Sequence, residues 1–391
     1  MGVRETAGMQ PLAGITVVAC EQAVAAPFAT RQLADLGARV VKVERPGRGD
    51  FARDYDTTVH GQSSHFVWLN RSKESVVLDL KDSSDRDRLL RLVDTADVFV
   101  ENLAPGAVER LGLGPRALRE TRPRLVTCSV SGYGTGGSLQ DAKAYDALVQ
   151  AEAGMLAVTG SPQEMAKAGI PVADIAAGMY AFSGVLAALL HRERSGEGGH
   201  VEVSLFDSLV EWMGFPMYYA LYGGTPPPRA GTSHAAIAPY GLFTAGDGTA
   251  FMLSVQNERE WADFCTHVLA DAAVATDPRF DAVARRVEHR DTLHEAIDAV
   301  LHAIDGAELE RRLRAGRIAH SRVRGVEDLR THPQLVGRDR WTTVGTPNGP
   351  VDALLPPIGL AGLEPRMDPV PALGEHQHVL DGPDDPLPGA P

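Results

Sequence analysis

A strand, a helix and a second strand follow one another within the first fifty residues, and that order confines the fold. Gly14 to Pro46 reads GITVVACEQAVAAPFATRQLADLGARVVKVERP. Ile15 to Ala19 is a short apolar strand. Ala26 to Leu36 has a helical pattern, with Pro27 in a first turn, where proline is tolerated. Gly37 stands where a helix C-cap is expected, and Val40 to Val43 is the second strand. Strands joined by such a crossover lie parallel in one sheet. The alternation continues through strands at Ser75 to Leu80, Asp97 to Glu101 and Leu125 to Val130, and a charged amphipathic helix at Ser83 to Leu92. A doubly wound α/β layer is expected, and such sheets bind ligands beyond the carboxyl ends of their strands. Those ends carry Arg45, Asn102 and the glycine-rich loop Gly132 to Gly137. No GxGxxG follows the first strand, so the dinucleotide fingerprint is missing.

A second stretch, Gly169 to Arg192, reads GIPVADIAAGMYAFSGVLAALLHR. Ala176, Met179, Tyr180, Ser183, Leu186, Ala187 and Leu190 recur at helical spacing, and small residues crowd the same segment, as close packing requires. Pro171 disfavours helix at Ile170, so the helix is expected to start near Asp174. One reading makes Asp174 an N-cap that ties up orphan amides. The other makes it an anion at the positive end of a helix dipole, placed to act as a covalent nucleophile.

The 391 residues suggest two domains or one with an insertion. Gly223 to Thr232, GGTPPPRAGT, shifts sharply in composition and reads as a semi-rigid linker. The expected division is 1–225 for the N-terminal part of a large domain, 226–325 for a small α+β domain, and 326–391 for a segment returning to the large one. The small domain holds a hairpin around Gly246-Asp247-Gly248 and helices at Glu258 to Leu269 and Arg290 to Ile304. The net charge of −13 speaks against a nucleic-acid partner. No unbroken run of 18 apolar residues suggests a bilayer span, and the start, MGVRETAGMQPLAG, has no signal-peptide core. Cys20, Cys128 and Cys265 lie far apart and form neither metal spacing nor a disulfide framework. A cytoplasmic protein is the expectation.

Nine segments, in order, resemble the class III (formyl-CoA transferase, CaiB/BaiF-type) coenzyme A transferases: EQAVAAP, ADLGARVVKVERPGRGD, NRSKESVVLDLK, VENLAPGAVERLG, SVSGYGTGG, YDALVQAEAG, IPVADIAAGMYAFSGVLAAL, VEVSLFDS and LGEH. The resemblance implies a Rossmann-like large domain, a smaller domain and an interlocked homodimer. It implies Asp174 as the catalytic carboxylate, passing through an anhydride and then an aspartyl-CoA thioester. It implies coenzyme A contacts at Val24, Ala25, Arg45, Lys73, Asn102, Leu103, Arg110, Lys143 and Tyr145, with Arg71 a neighbour. Acyl-CoA and a carboxylic acid, of the short dicarboxylic or branched kind, are the implied substrates, and no metal or permanently bound cofactor is needed. Arg45, Arg110 and Lys143 supply the local positive charge that phosphate recognition requires in an acidic chain.

Two departures from the pattern shape the alternatives. The related α-methylacyl-CoA racemases place a histidine where this chain has Tyr145, so a racemase here lacks one proton shuttle. The glycine run that covers the aspartate in formyl-CoA transferases is missing from Gly231 to Gly241, GTSHAAIAPYG, where His234 is either a substrate contact or a surface histidine. A non-catalytic CoA-binding scaffold and a nicotinamide-dependent oxidoreductase are the remaining readings.

Overall fold

The computed structural model describes residues 10–381, so the N-terminal stretch read above as lacking a leader lies mostly outside the described residues. The chain forms two compact units. The first comprises residues 10–154, 168–214 and 336–381, and the second 155–167 and 215–335. These differ from the expected bounds chiefly at 155–167. That segment joins the second unit because Arg229 donates to the carbonyls of Ser161 and Pro162, and Gly231 N–H donates to Gly160 O.

The first unit is built on six strands: β1 (Thr16–Cys20), β2 (Arg39–Glu44), β3 (Lys73–Val77), β4 (Val98–Glu101), β5 (Val126–Ser131) and β6 (His200–Ser204). All pairings are parallel, in the order β3-β2-β1-β4-β5-β6. The order reverses between β1 and β4, the place where doubly wound sheets open a ligand crevice. Val17, Val18, Val40, Val41, Val98 and Phe99 are buried, as expected for strands covered on both faces. β3 begins at Lys73 rather than at the expected Ser75. Its first polar residues point into buried ion pairs, which conceals them from a hydrophobic pattern.

The helix Ala25–Asp35 follows β1, and a 24-residue helix, Val172–Ser195, packs against it. The contact is close: a Cβ at Gly178 would stand 2.7 Å from Ala25 O and 3.0 Å from Phe28 Cδ1. Ala173, Ala177 and Ala181 are buried in the same helix, so small side chains set the approach. This helix has the length and composition to cross a bilayer, with a mean hydropathy of 1.6 in its most apolar window. The search for an unbroken apolar run passed over it. In the structure its small-residue face is instead buried against protein.

The second unit is a three-stranded antiparallel sheet, β7 (Tyr240–Thr244), β8 (Ala250–Ser254) and β9 (Ala319–Arg322), covered by the helices Glu258–Phe264, Arg290–Leu301 and Gly306–Ala315. Phe251, Trp261, Phe264, Ile297 and Leu309 form its core. In the first unit, β10 (Trp341–Val344) and β11 (Val351–Leu354) form a hairpin, and Phe66, Val344 and Val370 pack together. The chain then runs along β3: His376 N–H donates to Ser75 O, and Gln377 clasps Val77 through both its amide groups.

Candidate active site

Beyond the carboxyl ends of β1 to β4 lies a cleft of about 340 Å³. Cys20 and Gln22 line it from β1, Glu44 and Arg45 from β2, Leu78 and Lys81 from β3, and Leu103 and Arg110 from β4. Three predicted contacts, Arg45, Leu103 and Arg110, therefore meet in one cavity. Lys81, which the sequence reading missed, joins them. It ends the LDLK run, and a lysine just past a strand end in a doubly wound sheet was the available signal. Gly106, at φ 68°, lets the chain turn after β4 and enter the short helix that carries Arg110.

The turn after β1 is clamped from two sides. Asn102 accepts from Gln22 N–H at 2.8 Å and donates to Gln22 O at 2.8 Å. Asp50 Oδ1 accepts from Ala23 N–H at 3.0 Å, holding Ala23 at φ 61°. Asn102 thus shapes the turn rather than lining the cleft. Val24 and Ala25 are buried, and the helix they open has no side-chain cap. Its first amides remain available at the positive end of the dipole, a setting suited to anionic groups.

Lys73 is not at the cleft. It is fully buried and donates to Glu21 Oε1 at 2.6 Å, Pro27 O at 3.1 Å and Asn70 Oδ1 at 3.1 Å. All three ammonium protons are engaged, which removes Lys73 from the coenzyme-contact set. Arg71 is also interior, bonded to Asp35 through Nε at 2.9 Å and its terminal nitrogen at 2.7 Å. Lys73 belongs to a charge network below the cleft. Lys42 Nζ lies 2.8 Å from Asp50 Oδ2 and 3.5 Å from Glu21 Oε1, with every side chain buried. Glu44 accepts from Arg53 and Ser75. Burial raises the Glu44 carboxyl, but the Arg53 hydrogen bonds and the Lys42 and Arg53 charges outweigh it and bring it down to about 2.

Asp174 is the third residue of the long helix; Pro171 is the cap, with no side-chain hydrogen bond. The orphan amides are served by another residue. Asp146 Oδ1, from the helix Asp146–Glu152, accepts from Ala173 N–H at 2.7 Å and Asp174 N–H at 3.3 Å. Asp146 Oδ2 accepts from Gln150 at 2.6 Å, and Gln150 Oε1 accepts from Ala168 N–H at 2.8 Å. Asp174 therefore does no capping. It is half-buried, and burial first, then the charge of Asp146, push its carboxyl from 3.8 up to about 7. The expected hold of the helix dipole on an anionic aspartate meets an opposing effect: desolvation and the like charge of Asp146 favour the neutral carboxyl. Asp174 precedes Gly178 by four residues, so it lies on the same face one turn from the approach to Ala25.

Tyr55, also missed by the sequence reading, completes the surroundings. Its phenol is raised to about 12, by burial first and then by the charges of Asp50, Asp174 and Tyr145. It remains a hydrogen-bond donor at neutral pH, and its ring meets His65 edge-on at 5.3 Å. Lys143 and Tyr145 lie in the exposed segment leading to the helix at Asp146, which starts three residues later than the expected Lys143. His234 belongs to the second unit, is exposed, accepts from Ala236 N–H at 3.1 Å and stacks on Tyr240.

Comparison with known proteins agrees with this architecture. Residues 12–377 match the CoA-transferase family III. The acetyl-CoA:oxalate CoA-transferase of Acetobacter aceti is 38% identical over 293 residues, spanning 74% of this chain and 75% of that protein. The succinate–glutarate CoA-transferase of Agrobacterium fabrum is 33% identical over 94% of both chains. The succinyl-CoA:mesaconate CoA-transferase of Haloarcula hispanica is 33% identical over 95% of this chain and 94% of its own. A crystal structure of a CaiB/BaiF family protein from Brucella suis superposes with a TM-score of 0.86, at 30% identity over 95% of this chain and 98% of that one. With a parallel sheet, a cleft at its strand ends that gathers Arg45, Lys81 and Arg110, and relatives of this kind across nearly its whole length, the chain belongs to CoA-transferase family III and is a CoA-transferase.

Proposed function

We propose that this enzyme moves coenzyme A from an acyl-CoA to a short dicarboxylic acid through covalent intermediates on Asp174. The observation that carries the reading is the division of labour at the start of the long helix: Asp146 caps, and Asp174 is left free, half-buried and unusually basic for a carboxylate. An Asp174 oxygen attacks the thioester carbonyl carbon, the C–S bond breaks, and CoA leaves as thiolate. The thiolate attacks the aspartyl carbonyl of the resulting anhydride and expels the donor as a free carboxylate. The acceptor carboxylate attacks the aspartyl-CoA thioester and releases the thiolate again. Attack of the thiolate on the acceptor's acyl carbon then yields the new acyl-CoA and restores Asp174. A carboxyl near 7 is ionised at mildly basic pH and is a stronger nucleophile than one near 4.

Arg45, Lys81 and Arg110 are assigned to the coenzyme's phosphates, and the start of the helix at Ala25 to its chain. Lys143 and Tyr145 follow from the resemblance as outer contacts. The dicarboxylic acceptor rests on the relatives' substrates: oxalate, glutarate and mesaconate. Racemisation, the second reading, is disfavoured by Tyr145 in place of an imidazole. The interlocked homodimer is supported by apolar side chains left uncovered in one chain, among them Phe215, Leu221 and Tyr222 at 71%, 68% and 83% exposure. The free, buried cysteines suit a reducing cytoplasm.

Borohydride or hydroxylamine trapping during turnover with succinyl-CoA and glutarate, followed by peptide mass spectrometry, tests the covalent route. The expected result is modification of the peptide containing Asp174, lost in Asp174→Asn. An unmodified peptide in an actively turning enzyme overturns it. Deuterium exchange at C2 of a branched acyl-CoA without any acceptor acid would favour the racemase.

A further inference from the structure

The second unit holds a cavity of about 510 Å³ that the transfer reaction does not use. Its walls are almost wholly polar. Glu310 and Arg314 come from one face of the helix Gly306–Ala315, at the i,i+4 spacing. His320 and Arg322 come from β9, the edge strand of the three-stranded sheet, at the i,i+2 spacing that shares a face. Arg324 follows on the outgoing turn, and His332 closes the rim.

The charges do not balance. Glu310 is the only carboxylate lining the cavity, and both its oxygens are committed: Oε1 accepts from Arg314 at 2.5 Å and Oε2 from Arg322 at 3.0 Å. Arg324 has no ion-pair partner among the described residues. Three guanidinium groups thus face one carboxylate. Arg322 and the two histidines are also held in place, while Arg324 is exposed. The Arg322 guanidinium lies 5.5 Å from the ring centroid of Phe251, a core residue. His320 donates from Nδ1 to Ile318 O at 2.7 Å and packs on the same ring. His332 Nδ1 accepts from Gln334 N–H at 3.1 Å, which leaves Nε2 as the ring's donor. In a chain of net charge −13, a pocket with fixed surplus positive charge is set against the background.

We propose that this cavity binds a small ligand through a dianionic oxyanion group, with Arg324 as the principal contact and Arg322 and His332 as supporting donors. Guanidinium forks match phosphate and carboxylate oxygens in pairs, and the volume admits a metabolite rather than a bare ion alone. The reading is independent of the chemistry at Asp174.

Calorimetric titration of the full-length enzyme with inorganic phosphate, adenosine 3′,5′-bisphosphate and succinate tests it. Arg110→Gln serves as background to silence the coenzyme cleft. Phosphate compounds are expected to bind in that background. Arg324→Gln should weaken them about tenfold, the lower end for loss of one charge-assisted contact. Glu310→Gln should tighten them, because it removes the one opposing charge; a misfolded variant would not gain affinity. Saturable binding of succinate alone, with the same two responses, would name a dicarboxylate as the source of the group. Absence of saturable binding by all three compounds, or binding indifferent to both substitutions, overturns the proposal.

Discussion

Asp146→Asn isolates what a like charge does to the nucleophile. Asparagine keeps an Oδ1 able to accept from the amides of Ala173 and Asp174, so the cap survives while the charge goes, together with the hydrogen bond that Gln150 donates to Oδ2. The carboxyl of Asp174 climbs from 3.8 to about 7, with burial the larger cause and Asp146 the smaller. Asp146 is the smaller cause, and about one pH unit, the low end for a nearby charge, is the expected return. The acidic limb of kcat/KM should move from about 7 to about 6, and carbon-13 resonances of the Asp174 carboxyl should titrate in parallel. At pH 6 the ionised share rises from about one tenth to about one half, so activity relative to the high-pH plateau rises about fivefold. The plateau itself should fall, because a less basic carboxylate is a weaker nucleophile. A limb fixed near 7, in kinetics and in resonance, would refute the role given to Asp146.

Three further outcomes are expected. Asp174 binds its proton more tightly folded than unfolded, so stability is present below about 4 and is lost as pH rises through about 7. Asp174→Asn should consequently unfold at higher urea than the wild type at pH 8, by at most roughly 4 kcal/mol, with the difference gone at pH 4; equal midpoints at pH 8 would contradict the burial argument. Lys42→Met strands Asp50 in the interior, leaves Glu21 to Lys73 alone, and should destabilise the first unit by roughly 3–5 kcal/mol in urea titration. A loss under about 1 kcal/mol would show that the network relaxes. Gly178→Ala drives a Cβ to within 2.7 Å of Ala25 O, and should destabilise by roughly 1–3 kcal/mol and lower kcat/KM for acyl-CoA by shifting the helix that carries Asp174. Unchanged kcat/KM at reduced stability would separate the packing from the catalysis.

The legible part of this fold is what periodicity reports. The strand runs at Ile15, Val40, Asp97 and Leu125 all lie in the sheet, because strands covered on both faces spell continuous apolar runs. The cleft was legible too, since Arg45 and Arg110 follow strand ends, where doubly wound sheets bind ligands. Lys73 misled because its charge is cancelled by Glu21, a residue 52 positions away. Tertiary pairing of that kind leaves no mark on local pattern. Tyr55 was overlooked for the same reason: it is brought to Asp174 by a loop, and nothing in the sequence spacing relates the two. The segment 155–167 was misassigned because a domain that borrows a distant piece of chain shows no boundary in composition.

The rivalry between cap and proposed nucleophile at Asp174 turns on the second carboxylate. One aspartate cannot both saturate the amides of a helix N-terminus and attack a thioester, since an oxygen bound by backbone donors is a poorer base. Here Asp146 takes the amides, through Ala173 and Asp174, and is itself steadied by Gln150. The capping charge then acts in the opposite sense to an ordinary cap. Rather than lowering a neighbouring carboxyl, it raises Asp174, together with burial. On the proposed route, the residue that holds the helix start in shape also raises the basicity of the nucleophile. A lone aspartate at this position would be more acidic and, on that route, less reactive.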